Sequence, residues 1–539
     1  MLYKELKVLS EYEGDTFYEC SQTVLDIYPQ DCVVLNNPAY SCCKESHDSN
    51  TRMDVVFYVK NKKNIVFDFK GAILRLHGLM QPFIFDGCEN VTVKNVIVQF
   101  TRPFTTEIEV IHSEKTCLRG RLSKNTPCEV DEEGRLIPIG ENYRCEILDK
   151  APVFLEAFLH DETHRGDGLS LVIFGKHPTP DPKLPWLAYT SHLTARFDGE
   201  DILLEGDNVP LVRDDAIVAI NHETRRYSTA YFLECINVRI ENFRLVDGPG
   251  MGILPFRCKN VYIDGLNMGY DQYSLGVTCN CADAIHAVSC SGDFVIRNSV
   301  IGGMLDDALN IHSNFFQYVS SDGNRIKVVN KGSVCKEYRI FAKGDSIRIS
   351  KPNTVEQVGD DYKITGIERI DDTHFWFVCD KKVPAFEEGS LVENISTQPN
   401  VLIENCRFQN GNTHLRFQSR GNIVMKDCDC QLEVLLTGDT NYWYESSPCE
   451  NMLIENVKFS GWLGNILVIP EFKATDAAKY YHKNLTVKDC SFELSNVLEG
   501  RNLEHLLFEN NVNSKGEKMT ITLTASGVIE AENAEIIRK

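Results

Sequence analysis

Three aspartates in the middle of the sequence are residue types that acid–base chemistry uses. Asp283 lies in the segment CADAIH, and Asp306 and Asp307 lie in the segment DDALNIH. Carboxyl groups held close to one another raise one pKa, so that one group stays protonated near neutrality while the others are ionised. A protonated and an ionised carboxyl group are together the acid and the base that glycoside hydrolysis needs.

A recurring segment indicates how these residues are positioned. It reads Asn or Asp, then apolar and variable residues in alternation, then Asn or Asp, which predicts a short strand with a polar turn at each end. Several consecutive instances start 21 to 29 residues apart, as one coil of a parallel β-helix requires. The instances are NIVFDF at Asn64, NVTVKN at Asn90, NVRIEN at Asn237, NVYIDG at Asn260, DFVIRN at Asp293, NVLIEN at Asn400, NIVMKD at Asn422, NMLIEN at Asn451, NLTVKD at Asn484 and HLLFEN at His505.

We therefore predict an all-β chain folded as a right-handed parallel β-helix, a solenoid, with two inserted β-barrel-like domains. Leucine-rich repeats are a weaker alternative, because the segments lack the spaced leucines and helical back segments of that class. The repeat is absent between about residues 104 and 230, where charged and proline-rich stretches surround strand-like runs such as DAIVAI. Between about residues 314 and 396, runs such as NRIKVVN and HFWFVCD are typical of a small antiparallel barrel.

The expected domain organisation follows from these gaps. N-terminal coils span residues 1–103, an inserted β domain spans 104–230, and central coils with the candidate site span 231–313. A second inserted domain spans 314–396, and C-terminal coils span 397–539. Insertions between coils are tolerated best on exposed loops, where they are able to wall a binding cleft.

The spacing of the aspartates fits one coil. Asp283 and Asp306 are 23 residues apart, so we expect them on neighbouring coils whose strands lie about 5 Å apart. An inverting glycosidase needs its carboxyl groups roughly 6.5–9.5 Å apart, with room for a water molecule. Side chains that splay from adjacent coils are able to reach that separation. Arg257 lies 26 residues before Asp283 and is expected at the border of the cleft or in solvent.

Strand alternation separates the two adjacent aspartates. On a continuous strand Asp307 would point into the core. The opposite face would carry Asp306, Ala308, Asn310 and His312. Asp307 therefore joins the other carboxyl groups only if it precedes the regular strand or lies in a bulge.

Other polar residues are candidates for binding a sugar. Asn310 and His312 lie on the face of the first aspartate of the pair and offer hydrogen bonds to hydroxyl groups. Arg416 points outward from the segment THLRFQSR, where it is able to hydrogen-bond a sugar or orient a carboxylate. Trp443 and Glu445 lie in the polar run GDTNYWYES. An exposed aromatic plane stacks on the apolar face of a sugar ring, so we predict a sugar platform at Trp443.

Composition and charge exclude several classes of protein. The 539 residues are 43% hydrophobic and 25% charged, as in soluble globular chains. A formal charge of −21 repels phosphate backbones and anionic membranes, so we expect no nucleic acid and no membrane as partners. The N-terminal segment lacks the apolar region of a secretory signal, which predicts a cytoplasmic protein, or a secreted one if a signal was removed. The oligomeric state stays open.

The 20 cysteines are expected to be reduced and buried. Cys406, Cys428 and Cys490 follow the closing Asn or Asp of their repeats, which predicts an interior ladder at equivalent positions of different coils. Three close pairs lack the C-x-x-C spacing that is typical of zinc sites, so we predict no metal and no cofactor. These pairs are Cys42 with Cys43, Cys279 with Cys281, and Cys428 with Cys430.

Taken together, the motifs resemble a known family. The segment CADAIH, the segment DDALNIH one coil later, the segment from Leu76 to Phe104 and two inserted β domains are similar to glycoside hydrolase family 110, the bacterial α-1,3-galactosidases. The resemblance covers nearly the whole chain. It implies an inverting exo-enzyme that removes terminal α-1,3-linked galactose from glycans without a metal. It also implies that Asp306 is the general acid, and that Asp283 and Asp307 hold and deprotonate the attacking water.

The residues alone leave other functions open. An Asp on one coil and Asp-Asp on the next also resemble the polygalacturonases, although the negative net charge counts mildly against a polyanionic substrate. A β-helical polysaccharide lyase needs a basic residue and usually calcium, which the acidic cluster is able to ligate. In a non-catalytic glycan-binding β-helix protein, the aspartates would only bind the sugar.

Overall fold

The computed structural model describes residues 16–36, 52–132, 134, 136–142, 153–159, 167–174, 193–206, 209, 214, 216–222, 227–270, 273–332, 338–409, 414–440, 443–461, 463–470 and 480–539. These residues fold mostly into β-strands, and the short helical segments among them are 3-10 turns at Pro29–Asp31 and Tyr338–Ile340. No helix in the described ranges is long and apolar enough to cross a membrane.

Most strands stack in parallel into a β-helix, which confirms the predicted fold class. One series of strands comprises Thr16–Glu19, Val24–Ile27, Lys63–Leu76, Glu89–Phe100, Ile236–Leu245, Lys259–Asn267, Ser291–Arg297, Val300–Gly302, Asn400–Glu404, Arg407–Gln409, Asn422–Lys426, Asp429–Cys430, Asn451–Glu455, Lys458–Phe459, His482–Lys488, Ser491–Phe492, Leu503–Glu509, Val512–Asn513 and Val528–Ala531. The opposite series comprises Val33–Asn36, Arg52–Lys60, Gln81–Asp86, Tyr227–Leu233, Gly250–Phe256, Ile285–Val288, Leu309–Asp322, His414–Phe417, Glu433–Leu436, Glu445–Ser446, Ile466–Val468, Asn496–Arg501, Met519–Thr524 and Ala534–Arg538.

Neighbouring coils align residue by residue on one hydrophobic core. Ile285 pairs with Leu309, Leu309 with Leu415, and Leu415 with Val434. All four side chains are buried in the same core cluster. Because successive residues of a strand point to opposite sides, the residues between these positions face outward. The outward residues of this series are the ones that the candidate site uses.

Asparagines explain the polar ends of the repeat. Asn95 and Asn242 close their repeats with φ values of 56° and 49°, in the left-handed region that Asn tolerates better than most residues. The Asn242 amide donates to Oδ1 of Asn95 at 3.1 Å, and the Asn405 amide donates to Oδ1 of Asn298 at 2.7 Å. These side chains therefore continue the hydrogen bonding from coil to coil where the backbone bends.

The described cysteines are free thiols and most are buried. Cys406, Cys428 and Cys490 each donate to the carbonyl two residues before them, so they occupy equivalent positions of different coils. This is the interior ladder that the repeat predicted. Cys42 and Cys43 lie outside the described residues.

Strands between Thr105 and Asn221 form a separate antiparallel sheet. Its order is Asp167–Phe174, Val153–Leu159, Ile217–Asn221, Thr105–Glu114, Cys117–Leu122, Asp201–Gly206 and Leu193–Asp198. Cys128–Val130 and Leu136–Pro138 form a small antiparallel pair beside it. This sheet has its own core, which includes Ile108 and Val218.

A second antiparallel sheet closes on itself. The strand Leu309–Asp322 leaves the β-helix and enters this sheet at Phe315. Around the barrel the strands follow the order Leu309–Asp322, Arg325–Val329, His374–Cys379, Tyr362–Arg369, Ser346–Ser350 and Leu391–Asn394, which pairs again with the first. The boundaries of the inserted domains remain predictions.

Two buried ion pairs attach this barrel to the β-helix. Arg257 contacts Asp345 at 2.8 Å, so it lies neither in the cleft nor in solvent. Arg420 forms two hydrogen bonds to the fully buried Glu393, at 3.0 and 2.7 Å. A guanidinium that grips a carboxylate through two bonds fixes orientation as well as distance. The barrel is therefore held rigidly beside the coils that contain the aspartates.

Candidate active site

The strands Ile285–Val288, Leu309–Asp322 and His414–Phe417 lie side by side and present the candidate site. His286 pairs in register with Asn310, and Asn310 pairs with Arg416. Their neighbours along each strand are buried in the core of the β-helix. Asn310, His312 and Arg416 therefore lie on the outer face, as strand alternation predicted.

Asp283 is level with Asp307, not with Asp306. The pairing of Ile285 with Leu309 sets the local repeat at 24 residues, one more than the 23 that the sequence suggested. The backbone confirms this register, because Ala284 N donates to Asp307 O at 2.9 Å. The expected stacking of Asp283 on Asp306 is therefore wrong.

A bend before the strand explains the difference. Ala308 and Leu309 are consecutive residues, yet both are buried in the same core. The prediction that Ala308 faces outward is therefore wrong, since strict alternation begins only where the strand begins, at Leu309. Asp307 precedes that strand, and its carboxyl group lies beside the outward-facing Arg416. It therefore joins the other site residues, as predicted for a residue that precedes the regular strand.

Arg416 and His414 lie on either oxygen of the Asp307 carboxyl group. Arg416 Nε lies 3.3 Å from Oδ2, and His414 Nδ1 lies 3.4 Å from Oδ1. Burial raises the pKa of Asp307, but Arg416 and His414 outweigh burial and hold this pKa below its usual value. His414 also contacts Glu433 at 2.9 Å, and the two carboxylates raise the pKa of His414 against the effect of burial. Asp307 is therefore an ionised carboxylate near neutrality.

Asp306 lies where the first inserted sheet contacts the β-helix. Its Oδ1 accepts a hydrogen bond from Asp307 N at 3.0 Å, and its side chain is partly exposed. The preceding residue, Leu305, is buried against Ala219 and Val277. The inserted sheet therefore supports the backbone beside Asp306, and of the three aspartates this one is the most accessible to solvent.

Asp283 is held by a histidine pair. His286 Nδ1 lies 2.5 Å from Asp283 Oδ2, and His286 Nε2 lies 3.0 Å from His312 Nε2. His312 was predicted to contact sugar, whereas the structure places it against His286 and buries it. Burial lowers the pKa of His312, which favours the neutral ring.

Glu445 covers this row of side chains. Its strand pairs antiparallel with Leu309–Asp322, which sets Glu445 opposite Asn314. Gln418 donates to Oε2 of Glu445 at 2.8 Å, and Arg416 Nη1 lies 3.5 Å from the same oxygen. Burial raises the pKa of Glu445, but His312 and Arg416 outweigh it, so the pKa is lowered. Glu445 is therefore a buried, ionised partner of Arg416.

The remaining predicted residues lie close by. Asn310 donates to Oε1 of Glu445 at 3.5 Å. Trp443 lies two residues before Glu445 and is partly exposed, and its backbone N donates to Asp439 at 3.1 Å. A sugar platform at Trp443 stays a prediction.

Sequence reasoning did not assign a role to several residues of this cluster. They are His286, His414, Gln418 and Glu433. A signal was present for two of them, because His414 and Gln418 alternate with core residues around Arg416. His286 closes the segment CADAIH, but the bend after Asp283 hid the fact that the two side chains meet.

Comparison with known proteins bears on what the chain does. No family model matches the chain. An α-1,3-galactosidase B of Bacteroides thetaiotaomicron is 24% identical over 487 residues, which cover 86% of this chain and 76% of that protein. An α-1,3-galactosidase A of Bacteroides fragilis is 23% identical over 479 residues, which cover 83% of this chain and 73% of that protein. The chain is a glycoside hydrolase.

The predicted resemblance to the bacterial α-1,3-galactosidases is thereby confirmed. A second α-1,3-galactosidase B, from Parabacteroides distasonis, is 24% identical over 513 residues, which cover 87% of the hydrolase and 78% of that relative. Among solved structures, the tailspike protein gp49 of Pseudomonas phage LKA1 has a TM-score of 0.18 and 8% identity, covering 94% of the hydrolase and 83% of the tailspike. The TM-score and the identity are too low to support a conclusion about the hydrolase.

Proposed function

We propose that this glycoside hydrolase removes terminal α-1,3-linked galactose from glycans by a single displacement that inverts the anomeric centre. The arrangement of carboxyl groups supports the proposal. Asp283 and Asp307 lie level with each other just before two adjacent parallel strands, and Asp306 is the neighbour of Asp307. The relatives supply the choice of sugar, since their names specify α-1,3-galactosidase.

The three carboxyl groups divide into a general acid and a pair that activates water, the two parts that an inverting reaction needs. Asp306 is the general acid and gives its proton to the glycosidic oxygen as the bond to the anomeric carbon breaks. Asp283 and Asp307 hold a water molecule on the opposite side of the sugar, and one of them accepts its proton as the new C–O bond forms. Arg416 keeps Asp307 ionised, which suits an acceptor of a hydrogen bond or a proton.

The other predicted residues would bind the sugar around these carboxyl groups. Asn310 and Arg416 lie on the outer face of neighbouring strands, and both contact Glu445. Trp443 would stack on the apolar face of galactose, and Glu445 with His312 would hold the floor of the site. The glycan is the partner that this arrangement suits.

The experiment is proton NMR of the purified protein with p-nitrophenyl α-galactoside and with Gal-α-1,3-Gal. We expect β-galactose as the first product formed, since a single displacement inverts the α-linkage. Release of α-galactose first would replace the inverting mechanism with a retaining one. Absence of galactose from both compounds would reject the proposed substrate and return the function to another glycosidic linkage, to a lyase or to binding alone.

A further inference from the structure

Two buried histidines stand behind Asp283 and form a continuous chain of contacts with it. Oδ2 of Asp283 lies 2.5 Å from Nδ1 of His286, and Nε2 of His286 lies 3.0 Å from Nε2 of His312. Nδ1 of His312 lies 2.8 Å from the carbonyl oxygen of Ser313. The side chains of Asp283, His286 and His312 are 3%, 9% and 2% exposed, so bulk water does not interrupt the chain.

The atoms of the chain fix how many protons it holds. The carbonyl of Ser313 only accepts, so Nδ1 of His312 has a proton. One proton must also lie between the two facing Nε2 atoms, and another between His286 and the Asp283 carboxylate. Two neutral imidazoles supply two protons, whereas the chain needs three. The third proton makes either an imidazolium beside a carboxylate or two neutral rings beside a carboxylic acid.

Charged groups from the neighbouring strands favour this extra proton. Oε1 of Glu445 lies 3.7 Å from Nε2 of His312 and attracts positive charge toward the histidines. Arg416 opposes this attraction from the far side of Glu445, at 3.5 Å. In register beside the two histidines lie the uncharged Asn310, next to His286, and Val288, next to His312. The histidine pair therefore contacts Asp283 at one end and Glu445 at the other.

We propose that Asp283, His286 and His312 form one acid–base unit that holds a single shared proton, with the two histidines as positioning residues for Asp283. The inference rests on the proposed function, in which Asp283 holds the attacking water. The unit turns Oδ2 of Asp283 toward His286. Oδ1 has no hydrogen-bond partner among the residues that the structure describes, so it is the oxygen that faces the water.

The proton balance of the reaction is simple in this arrangement. As the water oxygen bonds to the anomeric carbon, its proton moves to Oδ1 of Asp283. The bond from the anomeric carbon to the glycosidic oxygen breaks, and that oxygen leaves with the proton of Asp306. The carboxyl groups together lose one proton and gain one, and exchange with solvent returns each to its starting state.

The first test needs no substrate. Imidazole nitrogen resonances of protein containing 15N-histidine are followed from about pH 5 to about pH 9, the range in which histidine titrates. His286→Asn and His312→Gln assign the two rings. We expect the rings to lose one proton in a common transition. We expect His312→Gln to move the remaining His286 transition to lower pH by about one unit, because glutamine accepts a hydrogen bond from His286 but does not take up the shared proton. Independent transitions of the two rings would overturn the proposal.

The second test separates positioning from titration. In His286→Asn the amide nitrogen replaces Nδ1 as the donor to Asp283 but has no proton that titrates near neutrality. We expect KM within about two-fold of wild type, kcat lower by about ten-fold or more, and loss of one limb of the pH profile of kcat/KM. His505→Asn, an exposed histidine far along the coil series, is the matched control and should leave the profile unchanged.

The outcomes distinguish the two proposals. A common transition of the rings in a protein that releases no galactose would retain the shared proton and reject the proposed function. Release of β-galactose by a protein whose rings titrate independently would retain the function and reject the unit. An unchanged pH profile in His286→Asn would also reject the unit.

Discussion

Nε of Arg416 lies 3.3 Å from Oδ2 of Asp307, whose side chain is 5% exposed. A buried carboxylate without a cation would be protonated or would destabilise the fold. The same guanidinium contacts Glu445 at 3.5 Å, so one cation pairs with two buried carboxylates. The ionisation of the site therefore depends on a residue of the coil that follows the second barrel.

Replacing Arg416 tests this dependence. In Arg416→Gln we expect the pKa of Asp307 to rise, because burial then acts without its main counterion. An acid with a lowered folded pKa stabilises the fold above its unfolded pKa of about 3.9, and this stabilisation is lost as pH falls through the folded pKa. As pH falls, the variant should therefore begin to lose stability at a higher pH than wild type does. Thermal unfolding across an acidic pH series measures this. Arg407→Gln, an exposed arginine, is the control; equal pH dependence in all three proteins would contradict the prediction.

Asp306→Asn and Asp283→Asn test the assignment of acid and base. Each replacement keeps the shape of the side chain and removes its acid–base function. We expect turnover to fall by about 100-fold or more, the scale of general acid or base catalysis, with the fold retained. The measurement is kcat on Gal-α-1,3-Gal together with circular dichroism. Activity near wild type in either variant would exclude that aspartate from the proposed mechanism.

Glu107 links the first inserted sheet to the coil that precedes Asp283. Its Oε1 accepts from Val277 N at 2.8 Å, from Thr278 N at 2.9 Å and from Thr278 Oγ1 at 3.0 Å. Glu107→Ala leaves buried donors without their acceptor, which costs about 1–3 kcal/mol for each unsatisfied group. We expect a lower midpoint in urea unfolding and a lower kcat. The exposed Glu109 on the same strand is the control. A similar loss in Glu109→Ala would show that the effect does not depend on the hydrogen bonds of Glu107.

The bends of the β-helix make a further prediction. Asn405 has a φ of 54° and donates to Asn298 at 2.7 Å. Asn405→Val should destabilise the fold by about 1–2 kcal/mol or more, because a β-branched residue is strained in the left-handed region. Asn405→Gly should cost less, since glycine adopts this φ freely and loses only the side-chain hydrogen bond. Unfolding free energies that rank the two variants in the opposite order would contradict this account of the bends.

Much of the fold could be predicted because its signals are local. Alternating residues between Asn or Asp define each strand, and the bends at Asn95 and Asn242 have the φ values that their residue type favours. Cys406, Cys428 and Cys490 follow the closing residues of their repeats, so sequence position alone reveals that they are equivalent. The alternation from Leu309 onward likewise placed Asn310 and His312 on the outer face.

The predicted site failed where the chain departs from that periodicity. Ala308 follows Asp307 at a bend, and one residue of difference in the coil length moved the partner of Asp283 from Asp306 to Asp307. Arg257 was expected at the cleft or in solvent, whereas it binds Asp345 of the second barrel, 88 residues later in the sequence. No local pattern encodes a contact across an insertion.

The sequence by itself determined the coils and the outward positions of Asn310, His312 and Arg416, since alternation along one chain is sufficient for these. Tertiary structure alone decided which carboxyl groups meet, and with what partners. Arg416 lies 109 residues after Asp307, and Glu445 lies 29 residues after Arg416, yet Arg416 contacts both carboxylates. Protonation depends on burial and on the nearest charges, which are properties of the folded molecule because distant coils and a covering strand supply them.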